Sequence, residues 1–226
     1  MRRAVCLDLD GTLIDSAPDI AAALNRRLAA AGLGPLSLAD ITRMIGDGAK
    51  VLLTRGFAAA GRPISGAALE AEAEAYIADY ERNALVETRP YPGVPETLSV
   101  LRDAGHTLAV VTNKPAEATR IVLDALGLAG LFATVAGGDS FPVRKPDPGH
   151  LLGALAALDI PPAQAVMVGD HRNDLLAARG AGVASIYAAF GYGEEDHAAF
   201  GAAAAIARFS DLPGVLTSLF AAPAGA

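Results

Sequence analysis

The sequence holds a single cysteine, no tryptophan, and only seven phenylalanines and five tyrosines in 226 residues. The lone Cys6 excludes an internal disulfide and any cysteine-rich metal centre. Its apolar neighbours mark it as a buried structural thiol and not a reactive one. Long apolar runs are also missing. None reaches the roughly 18 residues that a membrane-spanning helix needs, and Arg208 ends the alanine-rich stretch from Gly201 to Ala207. Arg2 and Arg3 stand at the N-terminus, but Asp8 and Asp10 interrupt any signal-peptide core, so a cytoplasmic protein is expected. Positive charge is scarce, with 18 Lys and Arg against 25 Asp and Glu and a formal net charge of −7. That balance argues against nucleic acid or an anionic membrane as a partner, while leaving room for a small anion held by local groups. Internal repeats and low-complexity linkers are absent too. What the chain does have is 52% hydrophobic residues, a figure raised by alanine, and 19% charged ones, as expected for helices around a sizeable core. Its length fits one large domain, or a core with a small companion, in a monomer or dimer.

Val5 to Leu7 reads as the end of a buried strand that runs into Asp8 and Asp10, after which Gly11-Thr12 turns the chain. If the extended conformation persists, alternation puts both acids on one side. Two acids there repel each other and resist desolvation, so they need a cation. Mg²⁺ fits, because one or two carboxylates hold it together with phosphate and water oxygens.

Helical spacing then covers Pro18 to Ala31, with Ser16 or Asp19 near its start. A second helix is expected from its cap Ser37, with an acid three residues on, to about Ile45. After the turn Gly46-Asp47-Gly48 come helices at Ala49 to Ala60 and Ser65 to Arg82, and no strand pattern interrupts residues 16–83. From Arg89 the style changes. Strands are predicted at 108–111, 132–136, 165–168, 184–187 and 205–209. Between and around them lie helices from Pro92-Gly93 to Ala104, from Pro115 to Gly127, and at 148–158, 173–181 and about 213–220. Ala221 to Ala226 reads as a frayed end.

This order predicts an α/β fold, a parallel sheet with helices on both faces, carrying an all-α insertion at the carboxyl end of its first strand. In such sheets ligands bind outside the carboxyl ends of the strands. Asp8 and Asp10, Thr112-Asn113-Lys114, and Gly169-Asp170 all fall there.

Together these groups suit one kind of chemistry. Asp170 and Asp174, with Asp8, form an oxygen ligand set apt for Mg²⁺ and poor for Zn²⁺. Thr112 offers a hydroxyl, and the backbone N–H groups around Asn113 suit a phosphate. Lys145 adds a point charge. Acids, a divalent cation, a hydroxyl and a lysine serve phosphoryl transfer, where positioning and charge stabilisation dominate and a carboxylate can be the nucleophile. A receiver-like signalling module gathers the same groups around a phosphorylated aspartate, but it is much shorter and has no helical insertion after its first strand.

Asp8-Leu9-Asp10-Gly11-Thr12, Thr112 after its strand, Lys145, and Gly169-Asp170 with Asp174 resemble, in order, the four motifs of the haloacid dehalogenase-like phosphohydrolases. The resemblance spans the whole chain. It implies a Rossmann-like core of residues 1–16 and 85–226, a helical cap of residues 17–84 that closes over the site, and Mg²⁺ as cofactor. It also implies Asp8 as nucleophile and metal ligand. Asp10 would be acid and then base, with its backbone carbonyl on the metal. Thr112, Asn113 and Lys145 would hold the phosphoryl group, Asp170 would bind the metal directly, and Asp174 would do so through water or as a supporting group.

Within the family, the dehalogenase branch lacks an acid at the Asp10 position, so phosphoryl chemistry is favoured. The β-phosphoglucomutase-like branch usually has a cap histidine soon after the first motif. Here Ser16-Ala17-Pro18-Asp19 follows, so a hydrolase working through an aspartyl-phosphate is expected. The wider string through Asp19, with Tyr91-Pro92-Gly93-Val94, Thr112-Asn113-Lys114-Pro115 and Gly191-Tyr192-Gly193, most resembles the phosphoglycolate phosphatase branch, whose substrate is a small phosphorylated metabolite. Phosphatases of sugar phosphates or pyrophosphate share most of that string, and a phosphomutase is a further alternative.

In the insertion, Gly46 and Lys50 flank an expected helix N-terminus that suits a substrate carboxylate, against the plainer reading of a helix connection with a solvated lysine. His171 is read as solvent-facing, Arg172 and Asn173 as holding a loop, and His106, His150 and His197 as structural or exposed. Asp15 and Asp139 are read as turn and helix-start residues.

Overall fold

The structure, a computed structural model, describes residues 3–194 and 196–221. Its centre is β1 (Arg3–Leu7), in which Ala4 to Leu7 have no solvent exposure. On one side β1 pairs with β4 (His106–Val111), which pairs in turn with β5 (Thr134–Ala136). On the other side come β6 (Ala165–Gly169), β7 (Ala184–Ala188) and β8 (Ala204–Ile206). All these pairings are parallel and give the order β5-β4-β1-β6-β7-β8. The chain therefore builds outward from β1 in one direction, returns, and builds outward in the other. Between β1 and β6 the order reverses, and that is where such a sheet opens a crevice at its carboxyl edge.

Alternation along β1 decides what each face carries. Val5 and Leu7 point into the larger apolar core with Leu98, Leu101 and Val122, supplied by α5 (Val94–Asp103) and α6 (Ala116–Ala125). Ala4 and Cys6 point the other way, among Leu151, Leu155 and Ala178 from α7 (Pro148–Leu158) and α8 (Arg172–Ala181). Burial pushes the Cys6 thiol up to about 12, so it is the inert thiol its neighbours implied.

Between β1 and β4 the chain leaves the sheet through β2 (Ile14–Asp15) and returns through β3 (Arg89–Pro90), paired as an antiparallel ribbon. Between them lie α1 (Ala17–Ala30), α2 (Leu38–Thr42), α3 (Ala49–Ala59) and α4 (Gly66–Asn83). Leu24, Leu28, Leu53 and Phe57 share a continuous apolar core with Tyr76 and Tyr80 of α4. The final helix, α9 (Leu212–Ala221), packs beside α5.

Several boundaries differ from expectation. The β2–β3 ribbon has two residues per strand, too few to show alternation. Helix α2 stops at Thr42, and Met44 and Ile45 continue in tight turns, bonded to the carbonyls of Ile41 and Thr42. Pro115 has extended backbone and stands just before α6 instead of inside it. Strand β8 ends at Ile206, and Phe209 lies in a short 3₁₀ turn buried under the core. The expectation of a frayed end at 221–226 falls outside the described residues, apart from Ala221, the last residue of α9.

Two polar clasps fix the neck of the insertion. Buried Asp19 accepts hydrogen bonds from the backbone N–H of Glu87 (3.1 Å) and Thr88 (2.8 Å) and from the Thr88 hydroxyl (2.7 Å). The Tyr192 hydroxyl accepts from the N–H of Ser16 (2.7 Å) and Ala17 (2.9 Å) and donates to Asp15 (2.9 Å). Ser37 caps α2 as expected, accepting from Asp40 N–H at 3.1 Å, whereas the Ser16 side chain makes no cap bond. Asp19→Ala leaves the buried Thr88 N–H and hydroxyl and the Glu87 N–H without their carboxylate partner, so it should cost about 2–4 kcal/mol of stability in urea unfolding. A loss below about 0.5 kcal/mol would show that the clasp contributes nothing net to folding.

Candidate active site

The register of the sheet brings the site together. Leu7 pairs with Val110 on one side and Val168 on the other, so β1, β4 and β6 end level. The next residues, Asp8, Thr112 and Asp170, therefore emerge at one edge. Asp8 stays in line through its N–H bond to the Val168 carbonyl (2.9 Å), and Thr112 through its bond to Ala136 (2.9 Å).

Lys145, fully buried, fills the centre of the cluster. Its Nζ lies 2.9 Å from Asp8 Oδ1, 2.6 Å from Asp174 Oδ1 and 2.6 Å from the Val111 carbonyl, so its three N–H donors are all in use. Asp8 Oδ1 also accepts from the N–H of Leu9 at 2.8 Å. Asp174 is further tied by the His171 N–H, which donates to its Oδ2 at 3.1 Å. Asp170 accepts from the Thr12 hydroxyl and the Tyr192 N–H, both at 2.8 Å.

Asp8, Asp170 and Asp174 place one carboxylate oxygen each within 4.8 Å of one another. Three acids thus face one ammonium. Burial, then the charges of Asp8 and Asp174, push Asp170 up to about 8. Burial likewise raises Asp174, against the pull of Lys145. An all-oxygen cluster short of positive charge fits a hard divalent cation such as Mg²⁺. Gly11 makes the approach possible: its backbone sits at φ +87°, and any Cβ there would collide with the Asp170 carboxylate.

Asp10 turns to a different set of partners. Its carboxylate accepts from Lys114 Nζ at 3.0 and 3.1 Å and from the Ser16 hydroxyl at 2.6 Å. Lys114 is buried, and its ammonium lies 4.2 Å from the centre of the Tyr80 ring on α4. Lys114 and Ser16 are thus part of the site, although in sequence Lys114 stands out only within its strand-end motif and Ser16 only as a helix start. The signal that would have found Lys114 is its place two residues beyond a strand-end hydroxyl, in a chain where little else can neutralise Asp10.

The helical insertion forms a roof over the site. The cleft beneath it runs from Asp8, Asp10 and Thr112 to the apolar side chains of Ile20, Ile45, Leu52 and Tyr76. Asn113 joins the two parts, donating through Nδ2 to the Lys145 carbonyl (2.9 Å) and the Gly46 carbonyl (3.0 Å). Asn173 also reaches across, to Asp47 Oδ1 at 2.7 Å, so it does more than hold its own loop. Gly46 is at φ +116°, with the His171 ring 2.8 Å from where a Cβ would stand. His171 is therefore packed against the roof, contrary to the solvent-facing expectation. Gly46 lines the cleft, but Lys50 does not. Its ammonium pairs with Glu70 at 2.6 Å on the exposed side of the insertion, because the second residue of α3 points away from the cleft.

The remaining expectations are simply placed. Asp139 accepts from the Ala116 N–H at 2.8 Å, at the start of α6. His150 is buried with Nε2 at 3.0 Å from the Gly137 carbonyl. Thr112 Oγ1 accepts from the Lys114 N–H (3.2 Å), which leaves its own O–H to donate into the cleft.

Residues 5–188 match the haloacid dehalogenase-like hydrolase family. A phosphoglycolate phosphatase of Caulobacter vibrioides is 43% identical over 221 residues, which cover 97% of this chain and 93% of the relative. One from Agrobacterium fabrum is 44% identical over 185 residues, covering 82% and 79%. Among solved structures, a predicted phosphoglycolate phosphatase from Haemophilus somnus superposes with a TM-score of 0.88 at 32% identity, over 95% of this chain and 97% of the other.

A pH dependence follows from the raised Asp170 carboxyl. The folded state holds this proton up to about 8, whereas an unfolded aspartate releases it near ~4. Between those values the folded metal-free protein binds more protons than the unfolded one, so the Asp170 contribution to stability falls as pH rises. The difference in thermal midpoint between wild type and Asp170→Asn in chelator should therefore move against wild type across that window, and excess Mg²⁺ should reverse it. A difference that is flat in chelator, or blind to Mg²⁺, would overturn the cation-site reading.

Proposed function

Because the chain belongs to the haloacid dehalogenase-like hydrolases, we propose that it is a Mg²⁺-dependent phosphatase of small phosphate monoesters, with 2-phosphoglycolate as the leading substrate. The observation that carries this is Asp8, held at the carboxyl end of the central strand by Lys145, beside Asp170 and Asp174 and beneath an apolar roof. The name of the substrate rests on the phosphoglycolate phosphatases that the chain resembles over most of its length.

In this reading Asp8, Asp170 and the Asp10 backbone carbonyl would hold the cation. Asp174, with both oxygens already in hydrogen bonds, supports them or binds through water. When bound, the cation neutralises phosphoryl oxygens beside the carboxylates. Asp8 Oδ1 is committed to Leu9 and Lys145, which leaves Oδ2 to attack phosphorus. The bond from phosphorus to the ester oxygen breaks as Asp10 gives the leaving alkoxide its proton. Asp10 then takes a proton from the water that attacks the aspartyl-phosphate, which releases phosphate and restores Asp8. Lys145 acts as a fixed charge beside the transferring group, and the Thr112 hydroxyl donates to a phosphoryl oxygen. Asn113 positions both the Lys145 loop and the roof.

Residues 17–84 act as a cap domain on a core of residues 1–16 and 85–226. The paired β2–β3 ribbon and the clasps at Asp19 and Tyr192 form its hinge, and closure excludes water from the reacting atoms.

The test is a phosphate-release screen with Mg²⁺ across 2-phosphoglycolate, sugar phosphates, nucleotides and pyrophosphate. Phosphoglycolate should give the highest kcat/KM, and Asp8→Asn should lower kcat by roughly 10³-fold or more. A sugar phosphate ranking first would replace the substrate and keep the class. Turnover by Asp8→Asn at the wild-type rate would remove the mechanism.

A further inference from the structure

The cleft contains an anion-binding group that the phosphoryl chemistry leaves unused. Lys114 is the one cationic side chain lining the cleft among the described residues; the rest of the roof presents Ile20, Ile45, Leu52, Tyr76 and Tyr80. Lys145, the other cation near the reacting atoms, has all three donors in use. A second negative charge on a substrate therefore meets one cationic side chain in the cleft lining. In the structure that partner already holds a carboxylate, that of Asp10, which spans the ammonium with both oxygens at 3.0 and 3.1 Å. The Tyr80 face packs the ammonium from the other side at 4.2 Å, so its position is fixed by the roof as well as by the core. Lys114 also follows Thr112 by two residues and is bonded to it through its own N–H. A group recognised there lies close to the phosphoryl end, as in a substrate with a short spacer between phosphate and carboxylate.

Resting on the phosphatase reading above, we propose that Lys114 is the specificity residue that recognises the substrate carboxylate, and that Asp10 occupies that place in the free protein. A carboxylated phosphate ester then exchanges one carboxylate for another on Lys114. Asp10 keeps its bond from Ser16, is released from the ammonium towards the ester oxygen, and takes from water the proton that it then gives to the leaving alkoxide. An ester without a carboxylate offers Lys114 no such exchange, so Asp10 stays where it is. Carboxylate recognition thus belongs to the core residue Lys114, with the roof supplying Tyr80, and not to Lys50.

The test compares 2-phosphoglycolate with 2-hydroxyethyl phosphate, its counterpart without the carboxylate, in wild type, Lys114→Met and Lys114→Arg, and measures glycolate binding by calorimetry in all three. Lys114→Met should cut the kcat/KM preference for the carboxylated ester by roughly 10-fold or more, and Lys114→Arg should restore part of it. Glycolate affinity should fall by a similar factor in Lys114→Met. Lys114→Gln, which keeps a donor for Asp10, replaces the Met variant if the latter fails to fold. Equal losses on both esters with unchanged glycolate affinity would overturn the proposal and leave Lys114 as a partner of Asp10 alone. If wild type shows no preference for 2-phosphoglycolate, the substrate reading falls separately. Lys114 is then judged on glycolate alone, with Lys114-dependent binding supporting it and Lys114-independent or absent binding refuting it.

Discussion

One buried ammonium holds the reacting end of this protein together. Lys145 reaches the carbonyl that ends β4, the carboxylate that follows β1 and the carboxylate of α8 that follows β6. Two of those strand ends, those of β1 and β6, would otherwise present three converging carboxylates. Like charges at that spacing strongly oppose joint ionisation, and one lysine offsets only part of the repulsion. The cluster is balanced for a further cation, and the raised Asp170 carboxyl expresses that same deficit. Pairing all three N–H donors also means that the ammonium pays its desolvation cost with full hydrogen bonding.

Around that centre, polar contacts do work that apolar packing could not. The insertion shares a continuous core with the sheet, yet its placement over the site is set by a few directional bonds. Asp19 and Tyr192 fix the neck, and Asn113 and Asn173 fix the far edge at residues 46 and 47. Asn113 is the more consequential of the two asparagines. One amide nitrogen divides its two hydrogens between the Lys145 carbonyl and the roof, so moving the roof must disturb the loop that carries the central ammonium.

Much of this was legible in the chain itself. Asp8 and Asp10 announce a strand end because apolar residues stop abruptly at two acids, and the alternation of strands and helices after Arg89 places the other polar motifs at the same edge. What escaped was decided by tertiary contacts. Lys114 looked like a strand-end residue among others until its ammonium was seen between Asp10 and Tyr80, residues far from it in sequence. Ser16 looked like a helix cap, but its hydroxyl serves Asp10 instead. Lys50 had the right charge near a helix start and the wrong rotational position, which no local pattern determines. The two-residue strands of the neck are too short for periodicity to register.

Cys6 offers a last consequence. Alkylating reagents attack the thiolate, and this thiol is both inaccessible and held neutral in the middle of the central strand, two residues before Asp8. It can be labelled only when the sheet parts. With no second cysteine in the chain, the labelling rate is a clock for opening of the strand that leads into Asp8, readable in crude mixtures without any engineered probe.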